Sequence, residues 1–479
     1  MLCLAVPGFP SEPPDWNALT AKATQAYARG TYDESERLFS SAAGLAEKFG
    51  LQDDRLARTL ANLGTVCRMQ GRYEEAEKLY QRAIAIWRST PGQSSNQLAA
   101  ALNNLAGIYR VKARYNDAEP LYREALALHE KELGPENASV ALVVSNLGGL
   151  YQDEGKLDQS RRLYEHALAM QERVLGPDHP DVAATLMHLG DVLERQWRFS
   201  EAQPFYQRAL AIREKVLGPD HPETADALNA LALLYKTEER YADAEPVYRR
   251  ALQISEKTLG PAHPRVALAL NNLGQLAAAQ GKYPEAKQFY ERAIAIWEKS
   301  GGPNDPDLAP GLSNLAALDI AQHKYAGAEA LFRRSYCIDA AHFGSAHVRI
   351  AQDLNNLGII YSARHQYGPA EQFLQQALAM YERLLGPENP SVADPLLNLA
   401  GLYVAEGRFA EAIALYRRAV PLREQALGAD HPKLAEPLES YALALRKTED
   451  YAEAEKIEAR ATRIRVRMAL RADAAAAGQ

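Results

Sequence analysis

The sequence predicts an all-α solenoid built from about eleven helix hairpins. Three observations carry this: a 42-residue period held in register, apolar residues at helical spacing within each period, and Gly-Pro punctuation between periods. Stepping by 42 from Leu105 lands on Leu63, Leu147, Leu189, Leu231, Leu273, Leu315, Leu357, Leu399 and Tyr441. A second column runs Tyr73, Tyr115, Leu157, Phe199, Tyr241, Tyr283, Tyr325, Tyr367, Phe409 and Tyr451. A third holds alanine from Ala83 to Ala461, with Ser335 its one exception. A weaker first unit precedes these, where GTYDESERLF matches GRYEEAEKLY.

Each period reads as two helices. Leu102, Leu105, Ala106 and Tyr109 sit at i, i+3, i+4 and i+7, which makes one apolar stripe. After a turn, a longer helix presents Ala118, Leu121, Tyr122 and Ala125, with Pro120 expected near its first turn. The tripeptide LGP ends it, Gly134 serving as the C-terminal cap and Pro135 blocking continuation. One hairpin cannot bury its stripe alone, so the hairpins must stack. Residues 1–15 read as a Pro-rich extension and residues 16–479 as a single solenoid. Its units lie near 16–49, 57–90, 99–132, 141–174, 183–216, 225–258, 267–300, 309–342, 351–384, 393–426 and 435–468.

Composition sets the outer limits. The chain is 47% apolar and 24% charged, with a net charge of -7, which argues against wholesale binding to nucleic acid or an anionic membrane. No apolar run has the length of a membrane span. Cys3, Cys67 and Cys337 lie far apart and form no disulfide framework or zinc spacing. The start MLCLAVPGFPSEPP carries no Lys or Arg ahead of its short apolar run, so the chain reads as cytoplasmic; the alternative is export, if this stretch is the remnant of a signal peptide.

The columns Leu105, Ala106, Tyr109, Tyr115, Ala118, Tyr122 and Ala125 resemble the tetratricopeptide repeat. The longer 42-residue period, with segments such as YQRALAIREKVLGPDHPETADALNALALLYKTEERYADAEPVYRRAL, resembles the kinesin light chain version of that repeat. The resemblance implies a right-handed superhelix whose first helices line a concave groove. It also implies a non-enzymatic scaffold or adaptor for a protein or peptide in extended conformation. A self-associating structural array is the alternative, and a kinesin light chain-type motor cargo subunit a lesser one.

One column is locally unfavourable. Asn62, Asn104, Asn146, Asn272, Asn314, Asn356 and Asn398 recur at the same helical position, interrupted by His188 and Ala230 and ending at Ser440. Each asparagine costs about 0.6 kcal/mol in helix propensity relative to alanine. The column points away from the apolar stripe, and the resemblance places it on the concave face. A primary amide both donates and accepts, so each can pair with the backbone of an extended peptide. The other reading is that the amides tie neighbouring repeats together, and the two are compatible. Arg58, Arg68 and Arg110 flank the early rungs and suit acidic ligand side chains, whereas Ala279, Ala321, Ala363 and Ala405 give the later half a small apolar floor.

Nothing points to catalysis, a cofactor or a bound metal: GxxxxGK[ST], HExxH, GxSxG and GxGxxG are all missing. The in-register histidines His179, His221, His263, His347 and His431 share their column with Asp305 and Asn389, which indicates helix capping. The expected species is a monomer.

Overall fold

The computed structural model describes residues 15–89, 95–196 and 198–477, with side chains described as far as residue 470. Cys3 and the start of the N-terminal extension lie outside the described residues. Regular structure among the described residues is entirely helical. The first hairpins are α1 (Trp16–Ala28) with α2 (Tyr32–Ala46), α3 (Asp54–Met69) with α4 (Tyr73–Ser89), and α5 (Ser95–Val111) with α6 (Tyr115–Leu133). Then come α7 (Ala138–Asp153) with α8 (Leu157–Leu175), α9 (Pro180–Arg195) with α10 (Phe199–Leu217), and α11 (Pro222–Thr237) with α12 (Tyr241–Leu259). Next are α13 (Pro264–Ala279) with α14 (Tyr283–Gly301), and α15 (Leu308–Ala321) with α16 (Tyr325–Phe343). The last are α17 (Val348–Ala363) with α18 (Tyr367–Leu385), α19 (Ala393–Ala405) with α20 (Phe409–Leu427), and α21 (Ala435–Lys447) with α22 (Tyr451–Ala477). The chain divides into two compact units, residues 1–150 and 151–479.

The odd-numbered helices start on one column of caps. Asp53 accepts from the Arg55 amide at 2.9 Å, and Asn137 from Ser139 at 2.9 Å. The histidines use Nδ1 in the same way: His179 accepts from the Asp181 amide at 3.1 Å, His263 from Arg265 at 3.1 Å and His431 from Lys433 at 2.9 Å. Asp305 and Asn389 do so through Oδ1 at 2.8 and 2.9 Å. The column is therefore a set of N-caps, and residue type varies freely among side chains that can accept. The even helices end as the LGP signal requires, with Gly134 at φ 82°. Pro120 differs from expectation: it lies inside α6, beyond the first turn, where the missing N–H forgoes a helical hydrogen bond.

The core lies between the helices of each hairpin and between neighbouring hairpins. Tyrosines of the even helices fill it, with Tyr80, Tyr122, Tyr164, Tyr206, Tyr248 and Tyr416 fully buried. Several lie against a glycine of the paired odd helix. A Cβ on Gly274 would stand 2.6 Å from the Tyr290 ring, whereas one on Gly401 would meet nothing within 4 Å. Gly274→Ala is therefore expected to lower the melting temperature, because displacing a buried ring costs about 1–3 kcal/mol. Gly401→Ala is expected to raise stability by about 1 kcal/mol through helix propensity alone. Thermal unfolding of the two variants checks the pair, and a stabilised Gly274→Ala protein would contradict the packing account.

Between repeats of the second unit, ion pairs join successive even helices. Arg208 meets Glu172 at 2.6 Å, Arg250 meets Glu214 at 2.7 Å, Arg292 meets Glu256 at 2.5 Å and Arg334 meets Glu298 at 2.6 Å. Each is solvent-exposed and contributes about 0–1 kcal/mol, so these pairs favour one stacking register more than they add stability. This unit also returns upon itself. The Asn389 amide Nδ2 donates to the Glu154 carbonyl at 3.1 Å, across 235 residues of chain. Pro390 packs at the same point, 3.8 Å from where a Cβ would stand on Gly155.

Candidate functional site

Odd helices of successive repeats pack against one another, as α3 does on α5, α11 on α13 and α19 on α21. Each odd helix also packs on the even helix of its own hairpin, and we call the side of the odd helices that carries the asparagine column the inner face. Asn62 is exposed there, and Asn104, Asn146, Asn272, Asn314, Asn356 and Asn398 are half-buried.

The seven asparagines divide into two sets. Nδ2 of Asn146 donates to Oδ1 of Asn103 at 2.8 Å, Asn314 to Asn271 at 2.9 Å and Asn398 to Asn355 at 2.8 Å. The acceptors are the first residues of the adjacent Asn-Asn pairs, and Asn271 and Asn355 are buried. So the doubled asparagine has a physical explanation. Its first member accepts from the next repeat, buried at Asn271 and Asn355 and half-buried at Asn103, and its second faces the inner surface. Asn62, Asn104, Asn272 and Asn356 form no side-chain hydrogen bond with another described residue. Sequence alone left ligand contact and inter-repeat ties both open; Asn146, Asn314 and Asn398 form the ties. The sequence signal is partial: asparagine stands in the preceding column at Asn103, Asn271 and Asn355, whose next repeats supply the donors, but Asn229 stands there too and receives no such bond among the described residues.

The arginines are less uniform than their spacing suggested. Arg58 is exposed and its Nε lies 2.6 Å from Asp54 on the same helix, which neutralises it locally. Arg68 is half-buried beside the Tyr80 hydroxyl, with Nε out of solvent. Arg110 is half-buried on α5. In the first unit a cleft of about 400 Å³ opens beside Asn103 and Asn104, walled by Ala100, His129 and Leu142. In the second unit a cleft of about 650 Å³ opens beside Asn398, over Gly401, Leu402 and Tyr416. Ala279, Ala321 and Ala405 are exposed and Ala363 is half-buried.

Where the ladder breaks, the inner face is charged. The Tyr206 hydroxyl donates to Asp191 Oδ1 at 2.6 Å and lies 3.2 Å from Glu194 Oε2. Protein surrounds these groups on most sides although Asp191 keeps 43% of its side-chain surface. Burial pushes the Asp191 carboxyl up, and burial together with the Asp191 charge pushes Glu194 up to about 7. Burial lowers the Lys236 ammonium. The break at His188 and Ala230 was legible in the sequence. Glu194 and Lys236 share one column with Arg68 and Arg110, where the charge changes sign along the rungs, so the column by itself announces no acidic site.

Among the described residues no three His, Cys, Asp or Glu side chains are placed to hold a metal. No described helix is long and apolar enough to cross a membrane. Cys67 is buried and Cys337 exposed, and neither is in a disulfide.

Comparison with known proteins agrees with this geometry. Tetratricopeptide repeat models match residues 17–89, 98–139, 139–215, 181–257, 235–299, 265–341, 307–383 and 391–465. No curated protein matches the chain. Among solved structures it is similar to BtubC (BKLC) from P. vanneervenii, at 26% identity over 51% of this chain and 92% of that one, with a TM-score of 0.38. It is also similar to a Podosopora anserina putative kinesin light chain with nearly identical TPR-like repeats, at 24% identity over 44% and 99%, with a TM-score of 0.38. A Rap protein complexed with Competence and Sporulation Factor matches over 80% of this chain and 100% of its own, at 16% identity and a TM-score of 0.51. On the extent of the repeat matches and the hairpin architecture, the chain belongs to the tetratricopeptide repeat family.

Proposed function

We propose that the protein is a non-enzymatic adaptor whose inner face binds an extended segment of a partner protein. Asn62, Asn104, Asn272 and Asn356 would pair with the segment's backbone, and Asn146, Asn314 and Asn398 would hold the repeats in register and offer their remaining acceptor capacity. Arg58, Arg68 and Arg110 would lie beside acidic side chains of the segment. Residues 16–479 are proposed to work as one array, since the 42-residue register continues unbroken, and the free protein to be a monomer. The observation that carries the reading is the set of inner-face amides, Asn62, Asn104, Asn272 and Asn356, that form no side-chain hydrogen bond with another described residue. Alanine would be the better helix former at each. Odd helices repeat at about 10 Å, close to three residues of extended peptide.

The test begins by recovering a binding segment from a pull-down with the full chain. Replacing Asn272 and Asn356 with alanine should then leave the melting temperature equal or higher, and weaken that segment about 5- to 150-fold, from two hydrogen bonds of about 0.5–1.5 kcal/mol each. Replacing Asn314 and Asn398 should instead lower the melting temperature. Their loss strands two buried acceptors at about 1–3 kcal/mol each, more than the roughly 0.6 kcal/mol per site regained in propensity. Undiminished binding by the Asn272/Asn356 variant would end the ligand reading of the ladder. A concentration-dependent mass in light scattering would remove the monomer.

A further inference from the structure

The interruption of the asparagine ladder is itself organised. On α9, Asp191 and Glu194 stand one turn apart and share the Tyr206 hydroxyl, at 2.6 and 3.2 Å. A hydroxyl has one proton, so it satisfies one carboxylate at a time. Thr237 adds a single longer bond to Glu194, at 3.3 Å. The nearby cations of the chain are turned elsewhere. Lys236 Nζ donates to Gln275 Oε1 of the next repeat at 2.6 Å, and Arg195 Nη1 donates to the Gln152 carbonyl at 2.7 Å. His188 stacks on Tyr164 at 5.2 Å and holds Nδ1 4.0 Å from Asp191. A separate observation points to the same place. Tyr248 is wholly buried, its hydroxyl lacks a hydrogen-bond partner among the described residues, and it lies near enough to feel the Glu194 charge. The next rung of the ladder column is Ala230, half-buried and without a polar group of its own.

We infer that Asp191 and Glu194, held by Tyr206 in the gap of the ladder, form a subsite for one basic side chain, arginine or lysine, of the extended partner segment. This rests on the groove reading above and specifies the segment's chemistry. A guanidinium or ammonium seated there meets two carboxylates at once, while the neighbouring rung at Asn272 takes the adjoining backbone. That burial raises both carboxyls fits a site completed by a cation from outside, since an arriving positive charge returns them to the ionised form.

The test is selection of phage-displayed random dodecapeptides on the full-length chain, followed by titration of the winners. Winners should carry arginine or lysine at one fixed position. The isosteric variant Asp191→Asn with Glu194→Gln should bind them about 10- to 100-fold more weakly, as expected for a lost charge-assisted contact. Changing the basic residue of the winning peptide to glutamine should cost the wild type similarly and the double variant little. The double variant should keep its melting temperature, so a folding defect does not imitate the result. Winners that bind, depend on Asn272 and Asn356, and show no basic preference would overturn the subsite and leave the groove reading standing. Winners indifferent to both sets of substitutions, or no winners at all, would overturn both.

Discussion

His431→Asn should flatten the acid side of the stability profile. In the wild type the imidazole caps the turn before α21 through Nδ1 and is buried. That burial, with Lys433 and Arg423 beside it, lowers the group from 6.5 to about 3. The folded state therefore keeps His431 neutral while the unfolded chain takes up a proton below pH 6.5. Unfolding binds protons in that window, so stability is fully present above pH 6.5 and falls as the pH drops toward 3. Between pH 6.5 and 4.5, before most carboxylates titrate, the loss amounts to about 3 kcal/mol at 1.36 kcal/mol per unit. Asparagine keeps the cap, as Asn389 does at the matching position, and has no proton to gain. Melting followed from pH 7 to 4.5 should show a steep decline in the wild type and a shallow one in the variant. Parallel slopes would mean that His431 is not held neutral.

Asp353→Asn should act in the opposite direction, on the alkaline side. Asp339 on α16 and Asp353 on α17 are both buried, and Arg349 is the guanidinium that reaches them, with Nε 2.9 Å from Asp339. Ser335 donates to Asp353 at 2.9 Å. Two buried carboxyls stand beside one guanidinium, and the Asp339 charge helps to keep the proton on Asp353. Burial chiefly, with the Asp339 charge, raises Asp353 from 3.8 to about 7. A raised carboxyl gives the folded state more protons than the unfolded one, so stability is highest below pH 4 and is lost as the pH rises toward 7. The difference is about 4 kcal/mol. Asparagine removes the titration and can still accept from Ser335. The variant should therefore match the wild type near pH 4 and exceed it by several kcal/mol at pH 8. No gain at pH 8 would show that the pair is compensated by groups other than Arg349.

The inner-face ladder shows where reading the chain reaches its limit. That asparagine recurs at one helical position, away from the apolar stripe, was visible in the residues alone. Which amides are already used was not, because Asn314 meets Asn271 and Asn398 meets Asn355 across 43 residues. Such a pairing depends on how far one repeat rotates against the next, and the helical period does not specify that angle. The same holds for the ion pairs between even helices, where Arg250 reaches Glu214 across 36 residues, and for Asn389 meeting Glu154 across 235.

Within one repeat the sequence was sufficient. Apolar spacing, the glycine after each even helix and the column of cap residues are local properties, set by backbone geometry and by which side chains can accept a hydrogen bond. They determined an all-α array of hairpins and the face on which its asparagines lie. Charge compensation was decided by the tertiary structure alone. Asp191 and Glu194 look like ordinary surface acids in the chain, and only the packing of α9 against α10 and α11 places them around one tyrosine hydroxyl while Lys236 turns to the next repeat. The physical reason is that helix formation answers to neighbours within a turn or two, whereas the partner of a buried or half-buried polar group comes from whichever repeat the stacking brings within about 3 Å.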